Sequence, residues 1–169
     1  MIFLSLLVAA VASSNPTISH HTPARSHVVY LTSFFNIRVV DYRSYPKCED
    51  PSTPPEKICA NQLEDMWSFD LRTPPKWLTR NIWIYTTKDG TPVGADARTS
   101  GVENQQEVFN YLKTVYGTPA NYRVATVRNA FNASYSVIHA KWHLSNKAIV
   151  EFTGAKDSLD EGEVQYLPG

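Results

Sequence analysis

Residues 61–71 read NQLEDMWSFDL. Leu63, Met66, Trp67 and Leu71 recur at helical spacing, which predicts a short amphipathic helix with one apolar side. RTPPKW follows, and Pro74 and Pro75 stop that helix, because proline lacks the amide hydrogen and clashes with the preceding turn. Upstream, Val28, Leu31, Phe35, Val39 and Tyr42 recur three or four residues apart and predict a second helix. On this reading the N-terminal part of the chain is helical.

Between the two expected helices lies KCEDPSTPPEKIC, residues 47–59, which holds both cysteines. A zinc site needs four ligands with tight pairs, and a thiol redox couple needs C-x-x-C; neither pattern is present. Cys48 and Cys59 enclose ten residues, three of them proline. In an oxidising compartment this spacing predicts a disulfide that closes a surface loop, worth about 3 kcal/mol by chain entropy.

Downstream the pattern changes. NIWIYTT, residues 81–87, predicts a strand, with Trp83 and Tyr85 on one face and Ile82 and Ile84 on the other. Asp89-Gly90 is a hairpin-type turn signal, and TPVGADARTSG (91–101) reads as loop or a short edge strand. SGVENQQEVFNYLKTVYGTP (100–119) is the clearest helix. Ser100 and Glu103 have capping-box spacing, Val108, Tyr111, Leu112 and Val115 form a stripe, and Gly117 and Pro119 end it. YRVATVRNAF, SYSVIHAKWHLS, KAIVEFTG and EVQYL then follow as four strands, and their short connections predict an antiparallel meander.

The N-terminus, MIFLSLLVAAVASSNPT, carries an apolar run of signal-peptide length that ends in small residues. The expected organisation is a signal peptide over 1–14, a flexible leader over 15–26, and one α+β domain over 27–169 with a disulfide-closed loop at 48–59. Asn132-Ala133-Ser134 is a glycosylation sequon in an expected turn and fits the same secreted, extracellular setting. Lys+Arg and Asp+Glu are 16 each, so the basic excess of a nucleic-acid binder is absent. No later apolar run is long enough to span a bilayer.

Candidate chemistry is sparse. The sequence has no G-x-S-x-G, phosphate loop or H-E-x-x-H. His139 and His143 would lie on one face of a strand with Val137 and Lys141, opposite Ile138, Ala140, Trp142 and Leu144. Residues four apart on a strand are about 13 Å apart, too far to share one metal ion. Either histidine could act as a general acid or base if that face lines a pocket. His20, His21 and His27 fall in the leader, where a polar tail is the plainer reading. Trp83, Tyr85 and Trp142 are candidates for an aromatic binding platform. No metal or cofactor is expected.

The segments GVENQQEVFNYLKTVYG (101–117) and YRVATVRNAF through EVQYLPG (122–169) resemble the NTF2-like (SnoaL-like) superfamily in the order of their elements. The ending AIVEF…DEGEVQYL is similar to the superfamily's apolar strand, acidic turn and final strand. The resemblance runs from about Val28 to Tyr166. It implies N-terminal helices packed on a curved, mostly antiparallel sheet, an NTF2-like or cystatin-like cone that wraps a pocket. The stapled loop departs from the usual pattern, and the Q-x-V-x-G stretch of cystatin inhibitors is absent. The expected function is a secreted binding protein with a pocket for a small apolar ligand or a partner protein. Two alternatives stand beside it: an isomerase- or dehydratase-type enzyme using His139 or His143, and an effector-like interaction factor without pocket chemistry.

Overall fold

The computed structural model describes residues 34–35 and 37–167. The expected signal peptide, the leader and the first part of the first expected helix, with Val28 and Leu31, lie outside the described residues. Eight strands and one α-helix follow a short 3-10 turn at Val39–Ser44. The strands are β1 (Cys59–Leu63), β2 (Met66–Asp70), β3 (Leu78–Thr86), β4 (Pro92–Thr99), β5 (Asn121–Arg128), β6 (Ser134–His143), β7 (Ile149–Ser158) and β8 (Glu161–Leu167). Helix α1 (Gly101–Tyr116) sits between the two sets of four. They form one sheet in the order β1-β2-β3-β4-β8-β7-β6-β5, with every neighbouring pair antiparallel.

The expectation of N-terminal helices packed on the sheet is overturned. Residues 61–71 form the β1–β2 hairpin, in which Leu63 and Met66 face each other across a two-residue turn at Glu64-Asp65. Their spacing mimicked a helical turn because a tight hairpin brings the same two positions together. Phe34, Phe35 and Ile37 are not helical either. Phe34 and Ile37 exchange backbone hydrogen bonds of 3.0 Å around Phe35, whose φ is 48°. The stretch read as loop or edge strand becomes β4, an interior strand between β3 and β8.

The C-terminal expectations hold. The helix forms and ends at Gly117, whose φ is 80° and whose amide donates to the Lys113 carbonyl at 2.9 Å. The four following strands make a meander. Ser100, however, does not cap the helix. Its hydroxyl donates to the Lys76 carbonyl at 2.9 Å, and the helix start is fixed instead by Val102 N–H donating to Leu159 O at 2.8 Å. Gly101 permits that approach, with φ at 60° and a Cβ there falling 2.1 Å from the Leu159 carbonyl.

Two covers share one face of the sheet. Val108, Phe109 and Leu112 of α1 bury the half formed by β4, β8, β7 and β6, with Phe109 and Tyr116 flanking the Trp142 ring at 6.1 and 6.3 Å. The segment 34–45 covers the other half, with Tyr42 on Trp67 at 4.9 Å and Tyr45 on Phe69 at 5.2 Å. Phe35 joins the two covers by stacking on Tyr111 at 5.6 Å.

The expected Cys48–Cys59 disulfide is present, with Cα atoms 4.9 Å apart. It has a structural consequence beyond loop closure. Ala60 N–H donates to Pro46 O at 2.9 Å, so the stapled loop lies along the outer edge of β1. Covering an edge strand in this way blocks pairing with other chains.

Candidate functional site

The antiparallel register decides which side chains share the face away from α1. One row across the sheet contains Arg123, His139, Thr153, Glu163 and Arg98, from β5 to β4. The next contains Asn121, Lys141, Glu151, Gln165, Asp96, Trp83 and Ser68. Neighbouring strands lie about 4.8 Å apart, so each row brings sequence-distant residues into lateral contact. A polar face of this kind follows from the alternation within β4, β6, β7 and β8, whose intervening positions are mostly apolar and buried, whereas β5 has no buried position.

A groove of about 430 Å³ opens on this face, and Arg123, His139, Lys141, Glu151, Thr153 and Gln165 are among its lining residues. Its base is unusual for a surface. Glu163, which lines it, is only 4% exposed, and Asp96, on the same face but outside the groove lining, only 7%. Such carboxylates are rarely buried unless paired. Glu163 pairs with Lys156 and with Arg98, the latter at 3.5 Å. Lys141 pairs with Glu151 at 2.5 Å across β6 and β7. Asp96 has the Tyr85 hydroxyl within hydrogen-bonding reach, but its Oδ1 is buried without a partner. Burial, reinforced by the nearby Glu163 charge, pushes the Asp96 carboxyl above the usual range.

His139 lies inside this groove. Its Nδ1 is 3.1 Å from Thr153 Oγ1, and the same hydroxyl donates to Ala155 O at 3.1 Å. A hydroxyl has one hydrogen. With that hydrogen on Ala155 O, Thr153 accepts from Nδ1–H, and Nε2 is left as an acceptor. Burial, with the Arg123 charge opposite, lowers the His139 pKa and favours this neutral ring. Such a ring can accept a hydrogen bond or a proton from a bound ligand.

The other expected site residues separate. His143 is on the same face, but it is exposed at the end of β6 and does not line the groove. Trp83 and Tyr85 share the polar face, where Tyr85 is 40% exposed. Trp142 points the opposite way into the core, 1% exposed, and its indole N–H donates to Gly117 O at 2.9 Å. It cannot join Trp83 and Tyr85 in one platform. Asn132 is exposed in the β5–β6 turn with φ at 63°, beside Phe131, which is 90% exposed. Cys48, Cys59 and Asp70 present atoms within 4.8 Å of one another, but the disulfide removes both thiolates as metal ligands.

Asp96, Glu163 and Gln165 were not among the expected site residues. Alternation within VGADART and EVQYL places them opposite apolar neighbours, but only the β4–β8 pairing joins them. No protein-family model matches the sequence, and no curated protein or solved structure matches the chain.

Proposed function

We propose that this chain is a secreted binding protein whose ligand lies in the polar groove across β5–β8. The observation that carries the reading is a 430 Å³ groove floored by a glutamate that is 4% exposed. Ion pairs on an open surface contribute little to stability, and buried ones often cost as much as they return. A buried charged floor under an open groove therefore has its best explanation in recognition. The lining favours a small polar ligand over an apolar one, since Arg123, His139, Lys141 and Glu151 would each lose water to hydrocarbon without a new partner. The disulfide fits an oxidising compartment, and no described helix is long and apolar enough to cross a membrane.

The test uses protein secreted from a eukaryotic host. Native mass spectrometry reads retained ligand, the Cys48–Cys59 bond and a glycan at Asn132. NMR titration with a panel of small polar compounds reads the site. The expected result is shifts centred on His139, Thr153 and Glu151. No retained mass, together with no groove shift from any compound at millimolar concentration, would overturn the reading.

One observation favours a catalytic variant of the same site, namely the neutral His139 ring held by Thr153. In that variant Nε2 takes a proton from the bound ligand. A His139→Ala, His143→Ala protein that still turned over a ligand found in the panel would sink it.

A further inference from the structure

The acidic residues of the chain are unevenly placed. None falls between Val108 and Val150, a stretch that holds Lys113, Arg123, Arg128, Lys141 and Lys147. That stretch builds the second half of α1, then β5 and β6, so one end of the sheet is basic although the chain as a whole is neutral. Lys141 pairs with Glu151, whereas Arg123, Arg128 and Lys113 form no ion pair among the described residues. Arg128 donates to Asn132 Oδ1 at 3.2 Å, and Lys113 Nζ lies 5.6 Å over the Phe109 ring.

The same end carries the open edge of the sheet. The stapled loop lies along β1, but β5 has only β6 beside it among the described residues. Its register with β6 is unbroken along its whole length, and it contains no proline. Asn129 N–H donates to Ala133 O at 3.0 Å, and the alternation of an antiparallel ladder then turns the N–H and C=O of Tyr122, Val124, Thr126 and Arg128 outward. Gln105 fixes the same phase from the far side of β6. Ile138 N–H, opposite Val124, donates to its Oε1 at 2.7 Å, and its Nε2 donates at 2.7 Å to Ser136 O, opposite Thr126. Tyr122 and Val124, on the α1 side, are 52% and 51% exposed. The helix packs over β4, β8, β7 and β6 and touches β5 where Phe109 meets the Tyr122 ring at 5.1 Å. Outward backbone groups beside half-exposed apolar side chains are what a strand of another chain pairs with.

We propose that β5 receives an extended acidic segment of another protein as an added antiparallel strand. Backbone hydrogen bonds hold the segment. Its apolar side chains cover Tyr122 and Val124, and its carboxylates meet Arg123 on the groove side and Arg128 at the turn end. The same arginines exclude the other occupants. A second copy of β5 would set one basic strand beside another with no acid to relieve them, and like charges across a ladder destabilise it. Residues 15–33 of this chain hold no Asp or Glu either, so charge does not draw them to this edge. Specificity on this reading comes from repulsion as much as from attraction.

The probe is a blocked heptapeptide reading Glu-Thr-Val-Thr-Val-Glu-Val. In antiparallel register it sets its first glutamate opposite Arg128, its second opposite Arg123, and its valines on the side of Tyr122 and Val124. One counterpart carries lysine for glutamate, and another keeps every side chain but has its valine nitrogens methylated, which removes the hydrogens that the ladder needs. Calorimetry reads binding, and NMR reads its place. The acidic peptide should bind, with amide shifts and slowed exchange centred on Tyr122, Val124 and Thr126 and not on Thr153 or Glu151 of the groove. Each counterpart should bind about tenfold or more weakly. An Arg123→Glu, Arg128→Glu protein, shown folded by its thermal melt, should lose about tenfold or more for the acidic peptide and take the lysine peptide instead. No binding of the acidic peptide at millimolar concentration would overturn the proposal. So would equal binding of either counterpart, or an unchanged preference in the charge-reversed protein. Oligothymidylate bound as tightly as the peptide would overturn it by showing a surface that reads charge alone. A dimer in sedimentation with β5 amides protected before any peptide is added would overturn it in favour of a second copy.

Discussion

Strands β4 and β8 run side by side at the centre of the sheet, and each has two unlike faces. Toward α1 they present Ala95, Ala97, Val164 and Tyr166, all buried. Away from it they present Asp96, Arg98, Glu163 and Gln165. The first set stabilises the fold in the ordinary way, by roughly 25 cal/mol for each Å² of apolar surface removed from water. The second set removes charge from water and opposes folding unless partners restore what is lost. One face therefore accounts for why the chain folds, and the other carries the residues on which the proposed binding function rests. Substitutions on the two faces should differ in kind.

The largest effect belongs to the apolar face. Trp142→Ala removes a ring packed against Phe109 and Tyr116 and should lower the unfolding free energy by about 3–5 kcal/mol, read from urea denaturation. A loss under about 1 kcal/mol would break the contrast, because the helix-covered face would then not hold the fold. The disulfide comes next. A Cys48→Ser, Cys59→Ser protein should lose about 3 kcal/mol. Hydrogen exchange should show faster opening of β1 and β2 than of β6 to β8, since the staple holds the loop along the β1 edge.

A smaller effect of opposite sign is expected at Asp96. Its carboxyl titrates above the ordinary value of 3.8, so the folded chain holds that proton more tightly than the unfolded chain does. The stabilisation is complete below 3.8 and is lost as pH rises through the folded-state value. Asp96→Asn removes the charge but keeps the shape. Near neutral pH it should raise stability by about 1 kcal/mol, the scale of an unmet buried polar group. Below pH 3.8 the advantage should disappear. An Asn protein less stable than the parent at pH 7 would show that the Arg98 and Lys156 charges and the Tyr85 hydroxyl outweigh the cost of burying the carboxylate.

What the sequence allowed a reader to see follows the same physics. Strands β5 to β8 were legible because β-branched and aromatic residues alternate along them and recognisable turn residues separate them. The β1–β2 hairpin was hidden by its turn. Glu64 adopts φ of 49° without the glycine or asparagine that usually marks such a turn. Strand β4 was hidden by Gly94, Ala95 and Ala97, small residues of poor strand propensity that nonetheless fit an interior strand. The alternation that set His139 and Lys141 opposite Trp142 was readable in one strand. The groove was not, because its lining comes from four strands, and His139, Thr153 and Glu163 meet only through the pairing of β6, β7 and β8.

The most delicate separation of the two faces is a pH effect at His139. Burial and the Arg123 charge lower its pKa below 6.5, so between the two values the unfolded chain binds more protons than the folded one. Its contribution to stability is present above 6.5 and is lost as pH falls through the folded-state value. His139→Gln keeps a polar side chain beside Thr153 but cannot titrate. At pH 8 the variant should differ from the parent by less than about 0.5 kcal/mol, as expected for a substitution outside the core. Below 6.5 the parent should lose stability faster than the variant, read as diverging urea midpoints. Parallel pH curves would mean that His139 is as well solvated folded as unfolded, and the proposed binding function would lose the neutral acceptor on which it rests. A large loss at pH 8 would instead make His139 part of the scaffold, and the division of labour between the two faces would fail at the residue where it is most finely drawn.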